Sequence, residues 1–224
     1  MKRRDVLLAS SALTATMVVG ACATPKTTAM TAKGKIVQLD KGLTGYYVKP
    51  NGQGLFPAVN VIMEAFGLND YIKSICDPLV KAGYAALAPD FYHGALYLYT
   101  DIKGAVAKLK TIKDDVAMAE FGKGITFLSS QSDIKKGGVG VMGFCMGGRL
   151  SFLANAVHAD QMKAAISFYG GGIAAMPDPL GRANLLDQVR KIKAPMMLMY
   201  GAEDQSIPVE EHQRIALALS QAKK

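Results

Sequence analysis

Five short apolar runs, spaced along most of the chain, constrain its fold more than any other feature. They are "VNVIM" (59–63), "YAALAPD" (84–90), "VGVMGF" (139–144), "AAISFYG" (164–170) and "PMMLMYG" (195–201). Each is too short for a buried helix, and none alternates cleanly between apolar and polar residues. Runs of that kind read as strands buried on both faces. Helical stretches separate them, at about 71–82, 114–128, 146–156, 185–191 and 209–222. In the first, Ile72, Ile75, Cys76 and Leu79 recur at helical spacing, so Cys76 reads as a core residue. Asp114 and Asp115 suit the start of the second. Earlier, "KIVQLD" and "LTGYYVKP" read as a hairpin turning at Lys41-Gly42. Strands alternating with helices predict an α/β domain, a mostly parallel sheet with helices on both faces. Sites in such sheets form at the carboxyl ends of the strands. That rule singles out Glu64, Asp90 to His93, Cys145, Tyr169-Gly170 and Glu203-Asp204.

The domain is expected over residues 35–224, with residues 23–34 as a tether. Residues 1–22, "MKRRDVLLASSALTATMVVGAC", have the three-part pattern of an export signal: a basic start, an apolar stretch and small residues at the end. Arg3-Arg4 fits a twin-arginine signal, and "VGAC" fits a lipobox that would lipidate Cys22. The expected location is therefore the periplasm of a bacterium, or a membrane face reached through a lipid anchor. Intact mass of the membrane and soluble fractions distinguishes the two. The net charge of +8 is scattered, without a basic stripe interleaved with aromatics, which argues against nucleic-acid binding. Three cysteines make no disulfide scaffold, and no metal or organic cofactor is expected.

Gly138-Val-Gly140-Val-Met-Gly143 matches the dinucleotide pattern G-x-G-x-x-G, with Asp160 downstream. A nucleotide site needs its strand before the first glycine, whereas this strand lies between the glycines. Gly143-x-Cys145-x-Gly147 is the better parse: a nucleophile elbow with cysteine at its centre, ending a buried strand and opening a helix. The helix N-terminus would stabilise a thiolate there.

Four segments, "VIMEAFGLND", "GYAALAPDFY", "VGVMGFCMGGRLSF" and "MYGAEDQSIP", together resemble the dienelactone hydrolases, cysteine members of the α/β-hydrolase superfamily. The resemblance implies an α/β-hydrolase fold and attack of Cys145 on the carbonyl of a small ester or lactone. It implies Asp204 as the triad acid and Glu64 as the acceptor of the thiol proton. It also implies the amides of Ala65 and Met146 as the oxyanion hole.

The resemblance further implies a histidine about thirty residues after the triad aspartate, on a loop behind one more strand. The sequence runs twenty residues past Asp204, so the closing strand and terminal helix are expected to be missing. His212 reads as a surface helical residue and His158 as remote from the site. His93 lies on the correct rim, but four strand spacings of about 4.8 Å put it roughly 19 Å from Asp204, so it reads as a substrate-pocket wall. Glu64, one strand from Cys145, is within reach of the thiol. The open sheet edge exposes apolar surface and suits a homodimer. A small-molecule ester or lactone hydrolase is the first reading. The alternative is an anchored or periplasmic binding or scaffold protein on a catalytically impaired hydrolase fold.

Overall fold

A computed structural model describes residues 33–224; the expected export signal, Cys22 and most of the expected tether lie outside the described residues. Seven strands form one sheet in the order β1-β2-β4-β3-β5-β6-β7. The hairpin joins β1 (Lys35–Asp40) to β2 (Leu43–Val48), and Gly42 takes the positive φ of 78° that its turn requires. β2 pairs antiparallel with β4 (Ala85–Pro89). Beyond it, β3 (Ala58–Ile62), β5 (Val139–Phe144), β6 (Met162–Phe168) and β7 (Met196–Met199) run parallel. The five apolar runs are therefore the parallel strands. The fold is that of an α/β-hydrolase.

Helix α1 (Asp70–Lys81) starts at Asn69, whose side chain accepts from the Ile72 N–H, and it buries Ile72 and Cys76 against β4. α3 (Asp114–Ser130) and α4 (Met146–Val157) cover the opposite face. Gly124 of α3 lies against Asn60 and Leu87, while α4 spans β5 and β6 with nearly every residue buried. α5 (Val209–Gln221) closes the described chain.

Two local expectations are corrected. Residues 186–191 form a 3₁₀ segment rather than an α-helix. A helix that the periodicity did not predict, α2 (Ile102–Leu109), follows β4, with the Asp101 carboxylate accepting from the Gly104 N–H at 2.9 Å. It buries only Ala105, so it leaves almost no apolar stripe to read.

Among the described residues, α1 covers only part of its face of the sheet. Along one register row, Val61 is fully buried, Met142 and Ile166 are half-buried, and Met197 is 56% exposed. Beside α1 this leaves an apolar groove of about 520 Å³, floored by Val59, Met142 and Ile166. β7 is an edge strand, as expected from the sequence.

Candidate functional site

The carboxyl ends of β3, β5, β6 and β7 deliver Glu64, Cys145, Tyr169 and Asp204 to one rim. Cys145 sits between β5 and α4 with φ 55° and ψ −116°, a conformation sparsely allowed for a side-chain-bearing residue. The turn is held by its own backbone: the Cys145 N–H donates to the Phe168 carbonyl at 3.0 Å, and its carbonyl accepts from Gly148 and Arg149. The flanking glycines are required by space. A Cβ on Gly143 would lie 2.1 Å from the Gly147 carbonyl oxygen, and one on Gly147 would lie 2.3 Å from that of Ile62. The Gly147 contact brings α4 hard against the end of β3, which places Ala65 beside the cysteine.

The backbone N–H groups of Met146 and Ala65 lie beside the Cys145 sulfur and favour its charged form. Burial pushes the thiol above its ordinary range, and the Glu64 charge adds to that; the two amides and the Arg182 guanidinium pull the other way. The resting group is accordingly a protonated thiol with two backbone donors beside it.

Glu64 is held by two phenols. Tyr169 donates its hydroxyl to Oε1 at 2.8 Å, and Tyr99 donates to Oε2 at 3.2 Å. The sequence named Tyr169 only as a rim position and did not single out Tyr99, because that contact spans 35 residues and depends on an irregular segment.

Cys145, Met146, Tyr169 and Asp204 share a cavity of about 480 Å³ with Arg182, Glu211 and Arg214. Glu211, 2% exposed, accepts from the Gly172 and Ala174 N–H groups and so shapes the loop behind the cysteine. The Arg214 Nε donates to the Ala174 carbonyl at 2.8 Å, and no carboxylate pairs with its guanidinium among the described residues. Asp204 has a more local partner: it accepts from the Ser206 N–H at 2.7 Å.

None of the three histidines joins Asp204. His93 is bound through Nε2 to Glu120 and through Nδ1 to the Gly42 carbonyl. It lines a small separate depression with Lys108 and Thr111, so its expected place in the wall of the Cys145 pocket is corrected. Its φ of 53° turns the ring outward, toward α3. His158 contacts the Met118 carbonyl, on the α3–α4 side. His212 is not the free surface residue expected; its ring stacks on Tyr200 at 4.0 Å, and its Nε2 is buried without a partner. No cluster of potential metal ligands occurs among the described residues.

The sequence matches the dienelactone hydrolase family over residues 43–224. The chain belongs to the dienelactone hydrolase family. A Methylorubrum extorquens protein provisionally named carboxymethylenebutenolidase is 31% identical, over all of this chain and 79% of its own length. A Yersinia pestis protein with the same provisional name is 34% identical over 80% of this chain and 68% of its own. Among solved structures, a Klebsiella pneumoniae protein provisionally identified as a dienelactone hydrolase superposes with a TM-score of 0.77 at 27% identity. That match covers 86% of this chain and 82% of the other. This dienelactone hydrolase family member is thus a hydrolase, and the scaffold alternative is not favoured.

Proposed function

We propose that this hydrolase cleaves a small ester or lactone through Cys145. The observation that carries the reading is the pair of amides, Ala65 and Met146, aimed at the sulfur of a cysteine on a strained elbow beside Glu64. In the reaction, Glu64 takes the thiol proton as sulfur attacks the carbonyl, and the two N–H groups hold the oxyanion. The protonated Glu64 returns its proton to the departing alkoxide, leaving acyl-Cys145. Water then hydrolyses the thioester, with Glu64 accepting its proton and Cys145 recovering it.

Among the described residues no imidazole reaches Asp204, so we read Glu64 as the base of both half-reactions and deacylation as the slower one. An aryl ester should therefore give a burst of about one equivalent followed by slow release. Stopped-flow absorbance measures it. Cys145→Ala should abolish both phases; equal activity in that variant would sink the reading.

The names of the relatives point to a butenolide ring bearing a carboxymethylene arm. Arg214, in the cavity and without a carboxylate partner, supports an anionic substrate of that class here.

A further inference from the structure

One wall of the Cys145 cavity is supplied by neither a strand nor a helix. Between β6 and the 3₁₀ segment, residues 173–185 form a loop whose ends meet: the Leu185 N–H donates to the Ile173 carbonyl at 2.7 Å. Such a closed Ω-loop is packed by its own side chains. Its feet are fixed from outside. The Arg149 guanidinium donates to the Gly172 and Ala183 carbonyls, and Glu211 accepts from the Gly172 and Ala174 N–H groups. Its tip is held from within. The Asp178 carboxylate, on a side chain only 2% exposed, accepts from the Leu180 N–H at 2.8 Å, the Arg182 N–H at 3.1 Å and the Arg182 guanidinium at 2.8 Å. Gly181 supplies the φ of 70° that the turn needs. Bonds between charged partners are the stronger ones, so the tip has one preferred shape.

Ala175, Met176, Pro177, Pro179 and Leu180 of this loop line the cavity, together with Ile207 and Pro208. Met176 is 61% exposed, whereas Leu180 is half-buried and its own N–H is one of those that Asp178 holds. The cavity lies on the β6–β7 side of Cys145. Glu64 follows β3, which flanks β5 on the opposite side, and it does not line the cavity.

We infer that this Ω-loop is the specificity wall of the site, with Leu180 limiting the length of the acyl arm and with Asp178 and Arg182 as positioning residues that hold Leu180 in place. The inference rests on the reading of Cys145 as nucleophile and names its substrate class: esters or lactones with a short acyl arm. In that reaction the departing alkoxide takes its proton from Glu64, so the leaving group lies on the β3 side of the sulfur. The acyl arm points the other way, into the cavity, where the loop presents carbon and the Arg182 charge is offset by Asp178. A wall fixed at both feet and at its tip can refuse a longer arm; a loose one would yield to it.

The test is kcat/KM of the full chain on p-nitrophenyl esters from acetate to octanoate, which vary the acyl arm and keep the leaving group. In the wild type, kcat/KM should fall from butyrate to octanoate. Leu180→Ala should raise the octanoate-to-acetate ratio about tenfold, and Leu180→Trp should lower the butyrate-to-acetate ratio by about as much, the usual scale for methylenes that fit or clash. Asp178→Ala should also raise the octanoate-to-acetate ratio, whereas a merely structural role would slow all esters alike and leave the ratio unmoved. Acetate esters of substituted phenols vary only the leaving group, and their order of rates should be the same in Leu180→Ala as in the wild type. Unchanged ratios in both Leu180 variants, or an effect that follows the leaving group instead of the acyl arm, would overturn the wall. If the ratios shift as expected while Cys145→Ala retains turnover, the reading of the nucleophile falls and the wall stands. If turnover needs Cys145 but the ratios ignore Leu180, the wall alone falls.

Discussion

At the scale of single residues, the site depends on two absent side chains as much as on the cysteine. Gly147 lets α4 approach the end of β3 so closely that the Ala65 amide reaches the Cys145 sulfur. Gly147→Ala would set a Cβ 2.3 Å from the Ile62 oxygen, and because that atom is backbone, the strand end must move. Moving it withdraws one of the two amides. The expected outcome is a fall in kcat of about a hundredfold, the usual effect of losing one oxyanion donor. Aryl-ester kinetics measure it, with near-wild-type circular dichroism showing that the sheet survives. Glu64, Cys145 and Asp204 could be assigned to one rim from the sequence because each follows an apolar run, whereas Ala65 and Met146 entered only through the family resemblance. The partners that tune them were not legible there. Tyr99 and Tyr169 look like ordinary aromatics until the fold brings 35 and 105 residues of separation down to one hydrogen bond. His93 misled because its place on the rim is readable while the direction of its side chain is not.

Among elements, the strands were legible because β3, β4 and β5 are mostly buried on both faces and β6 and β7 keep the same continuous apolar run. α2 was not, since a helix lying over the rim buries a single residue and shows only its cap. The joints between elements were also hidden. Arg149 of α4 is 1% exposed; it pairs with both oxygens of Asp114 at the start of α3 and donates to the Gly172 and Ala183 carbonyls. In the sequence it is only the arginine of "GGRLSF". One guanidinium thus ties two helices to the loop that walls the cavity. Arg149→Ala leaves the Asp114 carboxylate and two carbonyls without their donor. The expected loss is about 3 kcal/mol of unfolding free energy, in line with breaking a buried ion pair from one side. Urea denaturation checks it, and Arg149→Lys, which keeps charge but loses the fork, should fall between the two.

For the molecule as a whole, the sheet is unevenly clothed. Among the described residues its α3–α4 face is covered over the central strands, while the other face is covered near α1 and grows barer toward β7, where Met197 and Met199 are 56% and 45% exposed. An unpaired strand beside an apolar face invites a second copy. Met197→Lys with Met199→Lys should lower self-association in sedimentation velocity, and unfolding free energy should move by no more than about 1 kcal/mol, as is usual at exposed positions. An unchanged sedimentation profile would remove β7 as an interface. The same bare half-face also affects how the protein reports on its own unfolding. Dyes that fluoresce on hydrophobic surface are ordinarily dark in a native protein and bright in a loosened one. Here the native groove offers them a seat, so a dye-monitored melt should begin bright and lose contrast. Tyrosine absorbance or circular dichroism will then give the truer transition.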